Sequence, residues 1–378
     1  MESISVHLAK KYFSALDRDC RQIPSNPYAP KSRFDKRSKY YLMRLALLIA
    51  KIAERKSFKQ DWYHACYTKA LVSAHRNGNA DALTILISVF DRQIASNGYL
   101  SRGVEQPFQV MGGYSLCYAR ESCPDASRFD LPLKILFDTL RNGPKTPGGG
   151  ILYKAGTSEV YVDTIGMICP FLAYYARLTS DKNALNLCSD HVLAFIARNI
   201  DAETHLPFHA YHDPGASRLG LHGWGRGTGW YVLGLCDIAA ELIDEDKLKN
   251  TIVAEIQHVA QSLKRFQKPN GNWATQIPVP EGPDDLSATA FCAYGLARAM
   301  RLGILDSSFS RTLGEAIAAL AKNTDAHGQL RNSSAEAYGV GSYGLTRGIQ
   351  PWGNGIAAAA VFESVGLLTT KSDKNDCT

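Results

Sequence analysis

In Val160-Tyr-Val-Asp163-Thr-Ile-Gly-Met167 a carboxyl group stands at the entrance to a strongly apolar segment, with Tyr161 beside it. Two readings are open. As a helix cap, Asp163 would accept backbone amide hydrogens and complement the helix dipole, which lowers its pKa. As a general acid/base it would be partly desolvated by its aromatic neighbours, which raises its pKa into the range useful to a proton donor. A second group lies in His222-Gly-Trp-Gly-Arg-Gly-Thr-Gly-Trp230, where two Trp, one Arg and four Gly share nine positions. Arg226 offers a planar fork for a carboxylate. Trp224 and Trp230 offer flat faces for a sugar ring, Thr228 a hydroxyl, and the glycines positive φ and close backbone approach. The competing reading is a helix-start turn whose tryptophans fill the core.

The segment does not read as a phosphate loop, because it lacks the Gly-Lys-Ser/Thr ending, and no strand signal before it supports a dinucleotide fingerprint. His205, His209 and His212 are spaced by four and three residues, which raises the question of a metal. Pro207 and Pro214 turn this stretch into a loop, and no second cluster has matching spacing, so no metal is expected. His209 is the better candidate for donating to a substrate hydroxyl or carboxylate. Two further loops place an indole and amides beside a helix entry: Asn270-Gly-Asn-Trp273, ahead of Asp284-Asp285, and Tyr343 to Gly355, with Trp352. Together these loops describe one rim.

The elements that must position this rim are helices. Apolar residues recur at three- and four-residue spacing over about 4–16, 39–54, 61–76, 79–96, 108–121, 130–142, 161–179, 182–199, 228–244, 246–266, 286–303, 308–322 and 353–366. Strand-like alternation is nearly absent. The helices group as hairpins, and Gly-rich loops bearing Trp, His and acids follow alternate helices. An open solenoid would need a fixed-period signature, and none repeats; the pattern favours a closed double ring of about twelve helices. One all-α domain over 1–368 is expected, followed by a polar, frayed tail at 369–378.

Composition is that of a globular chain: 378 residues, 45% hydrophobic and 21% charged. The net charge of +6 comes from interspersed residues, and the densest basic run, Lys31 to Arg44, is broken by aromatic and apolar positions. That argues against nucleic acid and suits an anionic small partner. Nine cysteines form no Cys-x-x-Cys pair, and several sit in apolar helical runs, so they read as reduced core thiols. The charged N-terminus does not resemble a signal peptide, and no run approaches 18 apolar residues. A cytoplasmic monomer or homodimer without membrane association is the expectation.

Taken together, the motifs resemble those of glycoside hydrolase families 88 and 105, the unsaturated glucuronyl and unsaturated rhamnogalacturonyl hydrolases, from about residue 107 to 366. Val162-Asp-Thr-Ile-Gly-Met167 is similar to that group's Val-Asp-Thr-Leu-x-Met, and Trp224 to Trp230 to its Trp-x-Arg-Gly-Asn-Gly-Trp. The Asp285-Leu-Ser-Ala-Thr-Ala-Phe291 segment and Pro351-Trp-Gly-Asn-Gly355 resemble two later motifs. The resemblance implies a single (α/α)6 barrel, with neither metal nor organic cofactor, acting on a lyase-derived anionic oligosaccharide that ends in a 4,5-unsaturated uronic acid. Asp163 would protonate the vinyl ether and assist water addition, Arg226 would meet the carboxylate, and Trp224, Trp230 and His209 would surround the ring. This chain departs from the pattern in carrying no acid in Gln106 to Gly113, Tyr153 or a neighbour where a His is usual, Thr228 for Asn and Asp285 for Glu.

Two other functions are kept open. A glycosidase acting on a saturated sugar would need a second carboxyl, which Asp213, Glu159, Asp284 or Asp285 could supply. A non-catalytic glycan-binding or assembly protein would keep the barrel and lose the chemistry.

Overall fold

The computed structural model describes residues 62–368 apart from 102, 216 and 244–246. The helices expected over 4–16 and 39–54 and the tail at 369–378 lie outside the described residues.

Twelve helices are described. They are α1 (Trp62–Arg76), α2 (Ala80–Asp91), α3 (Gly113–Ser122), α4 (Asp130–Asn142), α5 (Asp163–Met167), α6 (Cys169–Thr179), α7 (Lys182–Asn199), α8 (Gly225–Ala239), α9 (Lys247–Phe266), α10 (Leu286–Arg301), α11 (Ser310–Asn323) and α12 (Pro351–Ser364). The expected 161–179 helix is two. Pro170 lacks the amide hydrogen that would continue the ladder, and the chain breaks at Ile168.

Packing separates the helices into two rings. α1, α3, the α5–α6 pair, α8, α10 and α12 contact one another in that order, and α12 returns to α1, which closes the inner ring. Helices α2, α4, α7, α9 and α11 pack outside it as the return arms of successive hairpins. The sequences explain the sorting. Every residue of α8 and of α12 is buried, as a helix with neighbours on all sides must be, whereas α9 and α11 bury one stripe. The architecture is the all-α (α/α)6 arrangement expected from the periodicity. No helix among the described residues is long and apolar enough to cross a membrane.

Of the four glycines in the Arg226 segment, Gly223 takes a positive φ of 63 in the turn before α8, and the other three serve this packing rather than a loop. Residues 225–239 are helical, and Gly225, Gly227 and Gly229 have no positive φ. A β-carbon on Gly229 would lie 2.3 Å from Phe291 Cβ of α10, and one on Gly234 2.3 Å from the Ile165 carbonyl oxygen of α5. Small residues let three inner helices approach to backbone distance.

Strands are few but well placed. β1 (Glu159–Tyr161), β2 (Phe208–His212) and β3 (Ser217–His222) form an antiparallel sheet in that order, with Val160 opposite Tyr211 and Tyr211 opposite Arg218. The 205–212 stretch read as a loop is therefore mostly strand. β4 (Ser333–Ser334) and β5 (Arg347–Gly348) pair at the base of a strap, 335–346. The far end of the inner ring is sealed by buried charge. Lys69 of α1 bonds Asp237 of α8 at 2.5 Å, and Arg298 of α10 lies 3.5 Å from Asp237 and 3.9 Å from Glu363 of α12. Burial alone would push the Asp237 carboxyl up, but Lys69, Arg298 and Arg76 outweigh it and hold the group ionised.

Candidate active site

The helix starts of the inner ring meet at one mouth. Trp62 and Tyr63 open α1, Asp163 opens α5, Arg226 opens α8, Asp285 caps α10, and Trp352 opens α12. The positive ends of their dipoles converge there.

Asp163 is not a helix cap. Val162 holds the cap position, and the backbone amide that pulls the Asp163 pKa down is its own, whereas Asp285 caps α10 by accepting the Ser287 amide at 3.0 Å. The Asp163 side chain keeps 14% of its surface exposed, and burial raises its pKa to about 6 against the opposing pull of Arg226. Desolvation therefore wins over the positive groups around it. A carboxyl poised near 6 is about one-tenth protonated at pH 7, enough to supply a proton.

His209 faces it. Its Nε2 lies 3.7 Å from Asp163 Oδ2, and its Nδ1 lies 3.0 Å from the Tyr343 hydroxyl. Burial, reinforced by Arg226, lowers the His209 pKa to about 3, so the ring is neutral and the contact is no ion pair. The Tyr343 oxygen accepts the Leu221 amide at 2.8 Å, which directs its own proton to Nδ1. That network assigns the His209 proton to Nε2, which lies beyond direct hydrogen-bond distance of Asp163. A bulge builds this geometry. The β2–β3 register shifts between Phe208 and Ala210, and Gly220 opposite takes φ +78, where a β-carbon would strike the Tyr343 oxygen at 2.5 Å and His209 Cβ at 2.9 Å.

Arg226 lies beneath, 3% exposed, with its guanidinium 4.9 Å from the Trp224 ring and 5.4 Å from the Trp352 ring. Its Nη1 donates to the Ser334 carbonyl and hydroxyl and its Nη2 to the Ala335 carbonyl. The fork expected to grip a substrate carboxylate thus braces the strap, and Arg226 reaches the mouth chiefly through its charge. Asp285 sits under it with both carboxylate oxygens occupied by Ser287 and Ser334.

Of the aromatic residues singled out, Trp224 packs on His209 at 4.4 Å with the planes tilted by 51°, and Trp352 packs on Tyr63 at 5.1 Å, so both border the site. Trp230 and Trp273 do not. Neither has exposed surface; Trp230 packs on Phe291, and Trp273 donates its indole hydrogen to the Leu263 carbonyl. Thr228 is likewise closed off inside α8. An indole or a hydroxyl on an inner helix, as at Trp230 and Thr228, or in the connection before one, as at Trp273, packs into the ring wall as readily as it faces the mouth, and spacing does not tell the two apart.

The walls are largely tyrosine, which sequence reading passed over. Tyr161 packs on His209 at 5.2 Å and on Tyr153 at 5.8 Å. Tyr63 donates to Glu336 Oε2 at 2.6 Å. Burial, together with Asp163 and Glu336, drives the Tyr153 hydroxyl pKa far up, so both carboxylates lie near that hydroxyl. His191 of α7 was also missed. Its Nδ1 accepts the Ile151 amide and its Nε2 meets the Thr164 hydroxyl, each at 2.8 Å, which steadies the residue after Asp163. Glu336 belongs to no periodic element, and only its neighbours reveal it. The four carboxyls considered as partners are engaged elsewhere: Asp213 with Arg198, Asp284 with Lys268, Asp285 as above, and Glu159 with the Ser158 amide.

The fold is a closed (α/α)6 barrel with a desolvated carboxyl among the helix starts of its inner ring. The chain belongs to glycosyl hydrolase family 88, whose family model matches residues 47–368. It is 24% identical over 201 residues to an unsaturated 3S-rhamnoglycuronyl hydrolase of Alteromonas sp. (strain LOR), covering 49% of this chain and 49% of the relative. The match thus spans about half the length of that curated relative. Two solved structures share the fold: a possible member of the GH105 family from Salmonella enterica serovar Paratyphi A, with TM-score 0.76, 18% identity and 94% of each chain covered, and one from Klebsiella pneumoniae, with TM-score 0.75, 18% identity and 91% of this chain and 97% of that one covered.

Proposed function

We propose that the protein is an unsaturated-uronyl hydrolase that hydrates the C4=C5 vinyl ether of an unsaturated uronic acid at the non-reducing end of an oligosaccharide. One observation carries the reading: Asp163, a carboxyl that burial raises to about 6, lies 3.7 Å from the neutral imidazole of His209. Asp163 gives its proton to C4, and water adds at C5 while returning a proton to the Asp163 carboxylate. The resulting hemiketal opens and releases the neighbouring sugar, so the net change is addition of one water. His209 Nε2–H orients the water or a ring hydroxyl, and Trp224 flanks the ring. The Arg226 charge and the converging helix starts favour the substrate carboxylate. Trp230, Thr228 and Trp273 support these groups by packing.

A displacement mechanism on a saturated sugar needs two facing carboxyls, and the engagement of Asp213, Glu159, Asp284 and Asp285 speaks against it. The enzyme, by this reading, acts in the cytoplasm without a cofactor, on anionic oligosaccharides left by lyases. The test follows the vinyl-ether absorbance of lyase-derived disaccharides. The wild type should consume it, and Asp163→Asn should lose about 10³-fold or more in kcat. Full activity in that variant, or turnover of saturated substrates alone, would refute the reading.

A further inference from the structure

A second chemical site lies on the outer face of the barrel, in the turn between α7 and β2. His205 holds a left-handed φ of 50 there, a conformation that a residue with a β-carbon adopts at a cost. That backbone lays its ring on His258 of α9, with centroids 4.1 Å apart and planes 28° from parallel. The His205 Nδ1 atom is buried, makes no hydrogen bond among the described residues, and faces Glu255 Oε1 at 3.5 Å. Glu255 stands three residues before His258, so both project from one face of the helix. It is buried, accepts one hydrogen bond, from the Tyr231 hydroxyl at 3.2 Å, and pairs with no lysine or arginine among the described residues. A buried carboxylate in that position calls for a cation.

We propose that His205, Glu255 and His258 bind a divalent transition cation, Zn²⁺ foremost, with water completing a four-coordinate shell. The three donor atoms lie within 4.8 Å of one another. A tetrahedral ion with bonds of about 2.0 to 2.2 Å needs donors about 3.4 Å apart. The His205–Glu255 pair at 3.5 Å already meets that spacing, and only the exposed His258 has to swing in. Two imidazoles with one carboxylate select zinc over calcium or magnesium, which prefer all-oxygen shells. Bound there, the ion pins the turn that leads into β2 against α9. His209 lies four residues further along the chain, and Tyr231, bonded to Glu255, lies five beyond Arg226. The ion therefore stiffens the scaffold behind the mouth and takes no part in the chemistry. A proton shared between His205 and Glu255 is the competing occupant.

The test uses the full chain, stripped with EDTA and dialysed, and titrated with zinc chloride by calorimetry at pH 7.5 alongside its melting temperature. One equivalent should bind, with melting raised by a few degrees in excess zinc. His258→Ala, which removes an exposed ring and leaves no cavity, and Glu255→Gln should each weaken binding at least tenfold and abolish the rise. No binding tighter than about 100 µM, undiminished binding in His258→Ala, or an equal rise with calcium would overturn the proposal. Turnover in His258→Ala should match wild type, so these outcomes are read independently of the hydrolase assignment.

Discussion

At Asp163 the balance of two opposing effects is measurable. Burial raises this carboxyl from 3.8 to about 6, so the folded state binds its proton more tightly than the unfolded chain. Its contribution to stability is then greatest below pH 4 and falls as pH rises to 6. Asp163→Asn should therefore melt higher than wild type at pH 8, by up to about 3 kcal/mol, and the difference should shrink at pH 4. The same titration sets activity, because the acid must be protonated; kcat/KM should fall above an apparent pKa near 6. Arg226 opposes the upshift, so Arg226→Gln should move that descending limb to higher pH. It should also lower stability by about 3 kcal/mol, since Asp285 would lose the buried cation above it. Glu336 is the other carboxylate near the mouth, held by Tyr63. Glu336→Gln should leave kcat within a few-fold of wild type. A loss as deep as that of Asp163→Asn would instead point to two-carboxyl chemistry.

The elements that set these distances are a bulge and a strap. Gly220 gives the room in which Tyr343 reaches His209, and its φ of +78 is one that alanine resists. Gly220→Ala should cost about 1 to 2 kcal/mol of stability. Its larger effect should be on turnover, because displacing Tyr343 frees His209 to change tautomer. Near-wild-type kcat with a well-folded Gly220→Ala protein would show that the Tyr343 contact is not needed. Helices were the readable part at this scale. The segments at 130–142 and 182–199 coincide with α4 and α7, since a return helix buries one stripe and leaves a clean period. The strands escaped because they are two to six residues long, and the longest two, β2 and β3, do not alternate cleanly between core and solvent.

For the whole molecule, closure of the inner ring and the buried charges at its far end act together. Lys69 joins α1 to α8 through Asp237, with Arg298 of α10 and Glu363 of α12 beside them. Lys69→Met should lower stability by about 3 to 5 kcal/mol by leaving Asp237 short of a partner, measured as one cooperative denaturant transition shifted to lower midpoint. A separate early transition would show that the helices on the two sides of the ring unfold independently. No comparable loss is expected from exposed pairs such as Arg311 with Glu315.

The sequence by itself determined the helical class, the sorting into hairpins and the position of Asp163 at a helix start, because these depend on neighbours three and four residues away. The tertiary structure decided what Asp163 is. Its desolvation, the neutral His209 opposite, the Tyr343 proton that fixes the imidazole, and Glu336 behind Tyr63 all come from segments more than 40 positions apart in the chain. It also separated Trp224, packed against His209, from Trp230, packed against Phe291, although they lie six residues apart in one motif. Which way an inner-helix side chain points depends on the ring that encloses it, and that ring exists only once the last helix has met the first.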